Sequence, residues 1–124
     1  MLIIRSQQIS ALESAAAERF VGAMVDDLRL HLPHHCRLLD EHDIVQAIRY
    51  GIARAKQYRL VSAAGAGAFV RLMFILGPGF DTAAALPWAQ RALGDSTDEA
   101  TRVRALYLGA MQHQQALAAV AQAS

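Results

Sequence analysis

The chain has one cysteine, three prolines and one tryptophan. Cys36 has no partner for an internal disulfide, so a disulfide-stapled scaffold is excluded. The amino terminus lacks the basic region, apolar stretch and small-residue cleavage site of a signal peptide, which makes the cytoplasm the expected compartment. Charge of one sign is missing too: twelve basic against eleven acidic residues leave a net charge of +1. The arginines are scattered along every segment without a basic stripe, so no nucleic-acid partner is suggested. The longest apolar run, Ala63–Leu76, is short for a bilayer span and carries Arg71 near its middle. It reads as a core helix, and no membrane partner is expected.

What is present is alanine, leucine and a high apolar content, 54% hydrophobic against 19% charged over 124 residues. β-Branched residues are too few for a sandwich or barrel, and the expected class is all-α. A chain of this length buries roughly two-thirds of its unfolded surface without help from a disulfide or metal. No repeat, linker or convincing strand interrupts it. The expectation is one helical domain over residues 1–124, a compact bundle of four to five helices with a short extended N-terminus.

Ser6 is a suitable N-cap for a first helix, and Ile9, Leu12, Ala16, Phe20, Met24, Val25, Leu28 and Leu32 recur at three- and four-residue spacing up to Pro33. Leu2, Ile3 and Ile4 lack that period and are expected to be extended. Pro33 opens a short helical turn in which Cys36 and Leu39 face inward. Asp43 and Gln46 have capping-box spacing, and Ile44, Ala47, Ile48, Gly51, Ile52 and Ala55 form the stripe of the next helix, with Arg49, Arg54 and Lys56 opposite. Ser62 caps a helix that is apolar nearly all round in its second half, predicting burial of Leu72, Met73, Phe74 and Leu76. Gly77-Pro78-Gly79 ends it. A short helix follows from Pro87 to Leu93, and Ser96 with Glu99 opens the last one, carrying Val103, Leu106, Tyr107, Ala110, Met111, Gln114 and Leu117. The tail after Leu117 is expected to fray.

Three groups of residues invite chemistry. His31, His34, His35, Cys36 and His42 are ligand types for Zn²⁺ or copper, but their spacing fits no established finger, and consecutive residues diverge on a helical turn. A polar turn around a buried thiol is the plainer reading, and no cofactor or metal is expected. Asp26, Asp27, Asp40, Glu41 and Asp43 lie at helix ends, where carboxylates cap free amides, and no nucleophile with a paired base is apparent. Gly65-Ala66-Gly67-Ala68 lacks the third glycine and the preceding strand of a dinucleotide loop; such small residues, with Gly22, Gly51 and Gly109, let helices approach closely. Residues 77–88 gather aromatic residues and turn formers between two helices. Phe80 and Trp88 either plug the bundle or, with Asp81 and Leu86, line a partner-binding groove, tryptophan being a favoured interface anchor.

The segments Arg19-Phe20, His31-Leu32-Pro33, Ile48-Arg49-Tyr50-Gly51-Ile52, Leu72-Met73-Phe74-Ile75-Leu76-Gly77-Pro78-Gly79-Phe80-Asp81 and Leu86-Pro87-Trp88-Ala89, with Cys36, Ala55 and Tyr58 between them, resemble a group of small bacterial proteins associated with type VI secretion effector gene clusters. The resemblance spans about residues 5–93, and the chain departs from it at Ala64-Gly65-Ala66-Gly67, where relatives are more polar. It implies an accessory role beside PAAR-type spike proteins, effectors and chaperone-like adaptors, and it transfers no catalytic residue.

The leading expectation is therefore a non-enzymatic adaptor or co-chaperone that binds an effector, its chaperone or a spike protein. An immunity protein against a toxin is the alternative, weakened by the net charge of +1, since such proteins usually present an acidic face to a basic toxin. A small metal-binding protein built on the His/Cys segment is the third. A helix apolar all round is also one that a homodimer could cover.

Overall fold

The computed structural model describes residues 2–94 and 98–123, with side chains described over residues 15–94 and 98–122. Its elements are α1 (Leu2–His31), α2 (Pro33–Cys36), α3 (Glu41–Gln57), α4 (Ala63–Leu76), α5 (Pro87–Gly94) and α6 (Glu99–Ala123). The all-α class holds, and no strand occurs among the described residues. No helix among them is long and apolar enough to cross a membrane. Contacts divide the chain into two units, Met1–Tyr50 and Gly51–Ser124.

In the first unit the helical period begins earlier than expected. α1 starts at Leu2, not at Ser6, so the extended N-terminus is replaced by helix. No proline or glycine precedes Ser6 to break the ladder, and an N-cap residue can also sit within a helix. Val21, Met24, Val25 and Leu28 are buried along α1, and Ile44 and Ile48 along α3. α1 ends where Pro33 removes a donor, and Pro33 occupies the first turn of α2, as its fixed φ favours. α3 is capped by a reciprocal pair: the Asp43 amide donates to Asp40 Oδ1 at 2.8 Å and the Asp40 amide to Asp43 Oδ2 at 3.4 Å. The capping box thus lies three residues before the Asp43 and Gln46 spacing, because an aspartate at either end satisfies the free amides as well as a glutamine would.

In the second unit α3 closes with Arg59 at φ 60°, the left-handed position that follows a helix, and Leu60 N–H reaches back to Ala55 O at 3.0 Å. The buried Arg102 of α6 donates through Nη2 to the Arg59 carbonyl at 2.9 Å. α4 begins as expected, Ser62 Oγ accepting from Gly65 N–H at 3.0 Å. A glutamate from another helix completes this cap. Glu99 Oε1 accepts from both the Ser62 amide and the Ser62 hydroxyl, each at 3.0 Å, doing from α6 what a residue of α4 would do in a local capping box. A Cβ at Gly65 would overlap that carboxylate, so the glycine makes room for it. Ser96 lies outside the described residues; Asp98 precedes α6 instead, accepting from the Thr101 hydroxyl at 2.7 Å.

α4 runs through Phe69 and Val70, fully buried, to Gly77, whose φ of 109° and N–H to Met73 O bond at 2.9 Å close it. Leu72 and Met73 are buried as expected, whereas Phe74 and Leu76 are only half-buried, so the helix is not covered on every side at its end. α6 is helical from Glu99 to Ala123, in keeping with the high helix propensity of its alanines, glutamines and leucine.

Candidate functional site

Residues 77–88 were the strongest binding candidates in the sequence, and the structure places most of them inside the second unit. Phe80 is buried with its ring 4.9 Å from that of Phe69, which in turn lies 5.9 Å from Tyr58. Asp81 is buried as well. Its Oδ2 accepts from the Tyr58 hydroxyl at 2.6 Å and from Arg54 Nη2, an ion pair that ties the 77–86 loop to α3. Arg54 therefore does not lie on an outward polar face with Arg49 and Lys56. Burial, and then the hydrogen bond to Asp81, push the Tyr58 hydroxyl above the usual tyrosine range. Leu86 is buried too.

Trp88 is half-buried on α5, and its indole lies so close to α6 that a Cβ at Gly109 would overlap the ring. The glycine on α6 is the receptor for the tryptophan. Trp88 Nε1 is buried without an acceptor among the described residues, and His113 is 6.1 Å from the ring. Phe80, Asp81, Leu86 and Trp88 thus share one unit, but they are held by packing and an ion pair.

The His/Cys segment does not converge. His31, His34, His35 and His42 are exposed while Cys36 is buried, and no group of three potential ligands is close enough to hold a metal ion among the described residues. His31 Nδ1 faces its own helix, 3.2 Å from Asp27 Oδ1 and 3.1 Å from the Asp27 carbonyl. Burial raises the Cys36 thiol above the ordinary cysteine range, with Arg29 partly offsetting it, so the thiol stays protonated and inert at neutral pH. Asp40 and Asp43 are occupied in capping. At the start of α6, Asp98 and Glu99 are both held below the usual carboxylate range, Asp98 chiefly by the Thr101 hydroxyl and Glu99 chiefly by the Ser62 amide. These shifts come from capping bonds and call for no substrate.

The surface that sequence reasoning passed over is α6. Val103, Leu106, Ala110, His113, Leu117 and Val120 recur at alternating spacings of three and four, one continuous stripe. Leu106 is fully buried and Ala110 nearly so, yet Leu117 and Val120 further along the same stripe are 58% and 68% exposed. Tyr107, Leu108 and Met111 are exposed as well. No Asp, Glu, Lys or Arg follows Arg104. That lack of charge was the available signal, since a helix in water ordinarily carries charges on its free face. Compared with protein-family models, curated proteins and solved structures, the chain matches none.

Proposed function

We propose that this chain is a non-catalytic protein-binding factor, an adaptor or co-chaperone that holds a type VI secretion effector, its chaperone or a PAAR-type spike protein, and that the outer half of α6 is the element it offers. The observation that carries this reading is the stripe on α6, buried at Leu106 and exposed at Leu117 and Val120. An apolar stripe continued beyond the residues that cover it leaves leucine and valine in water, a cost that a partner's groove removes. Such exposed patches mark interaction sites. Anchors at these helical spacings are the signature of a helix laid into a hydrophobic groove. The charge-free sequence after Arg104 fits the depletion of charge at interface cores.

The type VI assignment rests on the resemblance of the quoted segments, which supplies the class of partner and nothing about geometry. The non-catalytic reading is supported by the roles of the acidic side chains: Asp40, Asp43, Asp98 and Glu99 cap helices, and Asp81 is paired inside the fold. The test is co-expression of the tagged chain with the products of its neighbouring genes, one omitted at a time. A stoichiometric complex with one effector, chaperone or spike component is expected, and Leu117→Glu should abolish it while leaving helical content unchanged. A complex with a toxin whose activity is blocked would replace the adaptor reading with the immunity reading.

A further inference from the structure

A second surface lies in the first unit, on the turn joining α1 to α3. Arg29, Pro33, Cys36, Arg37 and Leu39 line an open cleft of about 260 Å³. We propose that this cleft docks an acidic segment of a partner protein, one carboxylate lying between Arg29 and Arg37 and a neighbouring apolar side chain resting on Pro33 and Leu39. It is separate from α6 in sequence, and it stands or falls without the partner class proposed above.

Charge carries the inference. Arg29 and Arg37 are exposed, and neither pairs with an acid among the described residues. Of the acids close to them in sequence, Asp27 meets His31 and Asp40 meets Asp43, while Asp26 and Glu41 form no ion pair with either arginine among the described residues. Arg29 and Arg37 both line the cleft, and a guanidinium offers paired donors in the planar arrangement that carboxylates accept. The rest of the lining, Pro33, Cys36 and Leu39, is apolar, so a bare inorganic anion would engage the arginines and leave these side chains unused. Leu30 and Leu38, 74% and 86% exposed, extend the apolar character of this turn. A peptide that alternates acidic and apolar side chains matches both features. Nucleic acid does not, because the cleft has no aromatic face for a base.

The probe is a blocked tetrapeptide of two leucines flanking two glutamates, titrated into the intact isotope-labelled chain and followed by amide NMR. Exposed ion pairs are individually weak, so a dissociation constant in roughly the millimolar range is expected. Shifts should concentrate at residues 29 and 33–39. Affinity should fall at least about fivefold when glutamines replace the glutamates, and by a similar factor in Arg37→Glu, in Arg29→Gln and at about 0.5 M salt, where exposed charges are screened. Arg91→Glu, on another unit, should change nothing. Equal binding of the glutamine peptide, shifts centred elsewhere, unchanged affinity in both arginine variants, or no shift at about 10 mM peptide would each overturn the proposal.

Discussion

Replacing Asp81 by alanine tests whether the 77–86 loop is held by its ion pair. The Asp81 side chain has no exposed surface, and that of Arg54 is 27% exposed. Alanine would leave the Arg54 guanidinium partly buried without its counter-charge and deprive the Tyr58 hydroxyl of its acceptor. Breaking a fully buried pair at one end costs about 3–5 kcal/mol. Arg54 is exposed enough to turn towards water and recover part of that, so a loss of about 2–4 kcal/mol is expected. At about 4 °C per kcal/mol for a chain of this size, the melting temperature should fall by roughly 8–16 °C. Asp81→Asn keeps the shape and an acceptor and should cost less than half as much. Urea denaturation followed by circular dichroism gives the free energies. Combining Asp81→Ala with Arg54→Met should show coupling above about 1 kcal/mol, as contacting residues do. An Asp81→Ala protein within about 0.5 kcal/mol of the parent, or strict additivity with Arg54→Met, would refute the reasoning.

Gly65→Ala should destabilise by about 1–2 kcal/mol even though alanine is the better helix former, because its Cβ displaces Glu99 from Ser62; adding Glu99→Ala should make the alanine substitution close to neutral or favourable in the same urea assay. The lowered proton affinity of Glu99 and Asp98 contributes stability that is present above the ordinary carboxylate range and is lost as the pH falls through it towards their depressed values, so melting temperature against pH should have an acid limb that Glu99→Gln flattens. Trp88→Phe should cost less than about 1.5 kcal/mol, since it discards an indole N–H that has no acceptor among the described residues, whereas Trp88→Ala should cost about 2–4 kcal/mol by opening a cavity against Gly109. Thermal melts of the two variants distinguish a packing role from an exposed anchor, which would tolerate alanine.

Most of the helical framework was legible because it depends on local chemistry. Pro33, Ser62 and the Gly77-Pro78-Gly79 turn act on the backbone nearest to them, and each ends or begins a helix where the sequence placed it. The α3 cap was misplaced because Asp40, Asp43 and Gln46 all satisfy the same local rule, and only the fold chooses among them. The cap shared by Ser62 and Glu99 was illegible, since its members stand far apart in sequence and meet only through tertiary packing. The same holds for Asp81. A turn aspartate after glycines looks like a surface residue, and only the placement of Arg54 and Tyr58 makes its burial tolerable. For the candidate site the sequence identified unusual residues, but Trp88 and Phe80 are unusual because they pack, whereas the exposed apolar residues on α6 look ordinary one at a time.

The most direct test of the central claim is the affinity of the chain for its co-purified partner, measured by calorimetry on the parent and on Leu117→Glu, with melting temperature recorded for both. An exposed residue at the edge of the fold should leave the melting temperature within a few degrees. If α6 enters the partner's groove, affinity should fall by at least about thirtyfold, the 2 kcal/mol scale of an interface hot spot. Undiminished affinity in a stably folded Leu117→Glu protein, or no stoichiometric partner among the neighbouring gene products, would contradict the account.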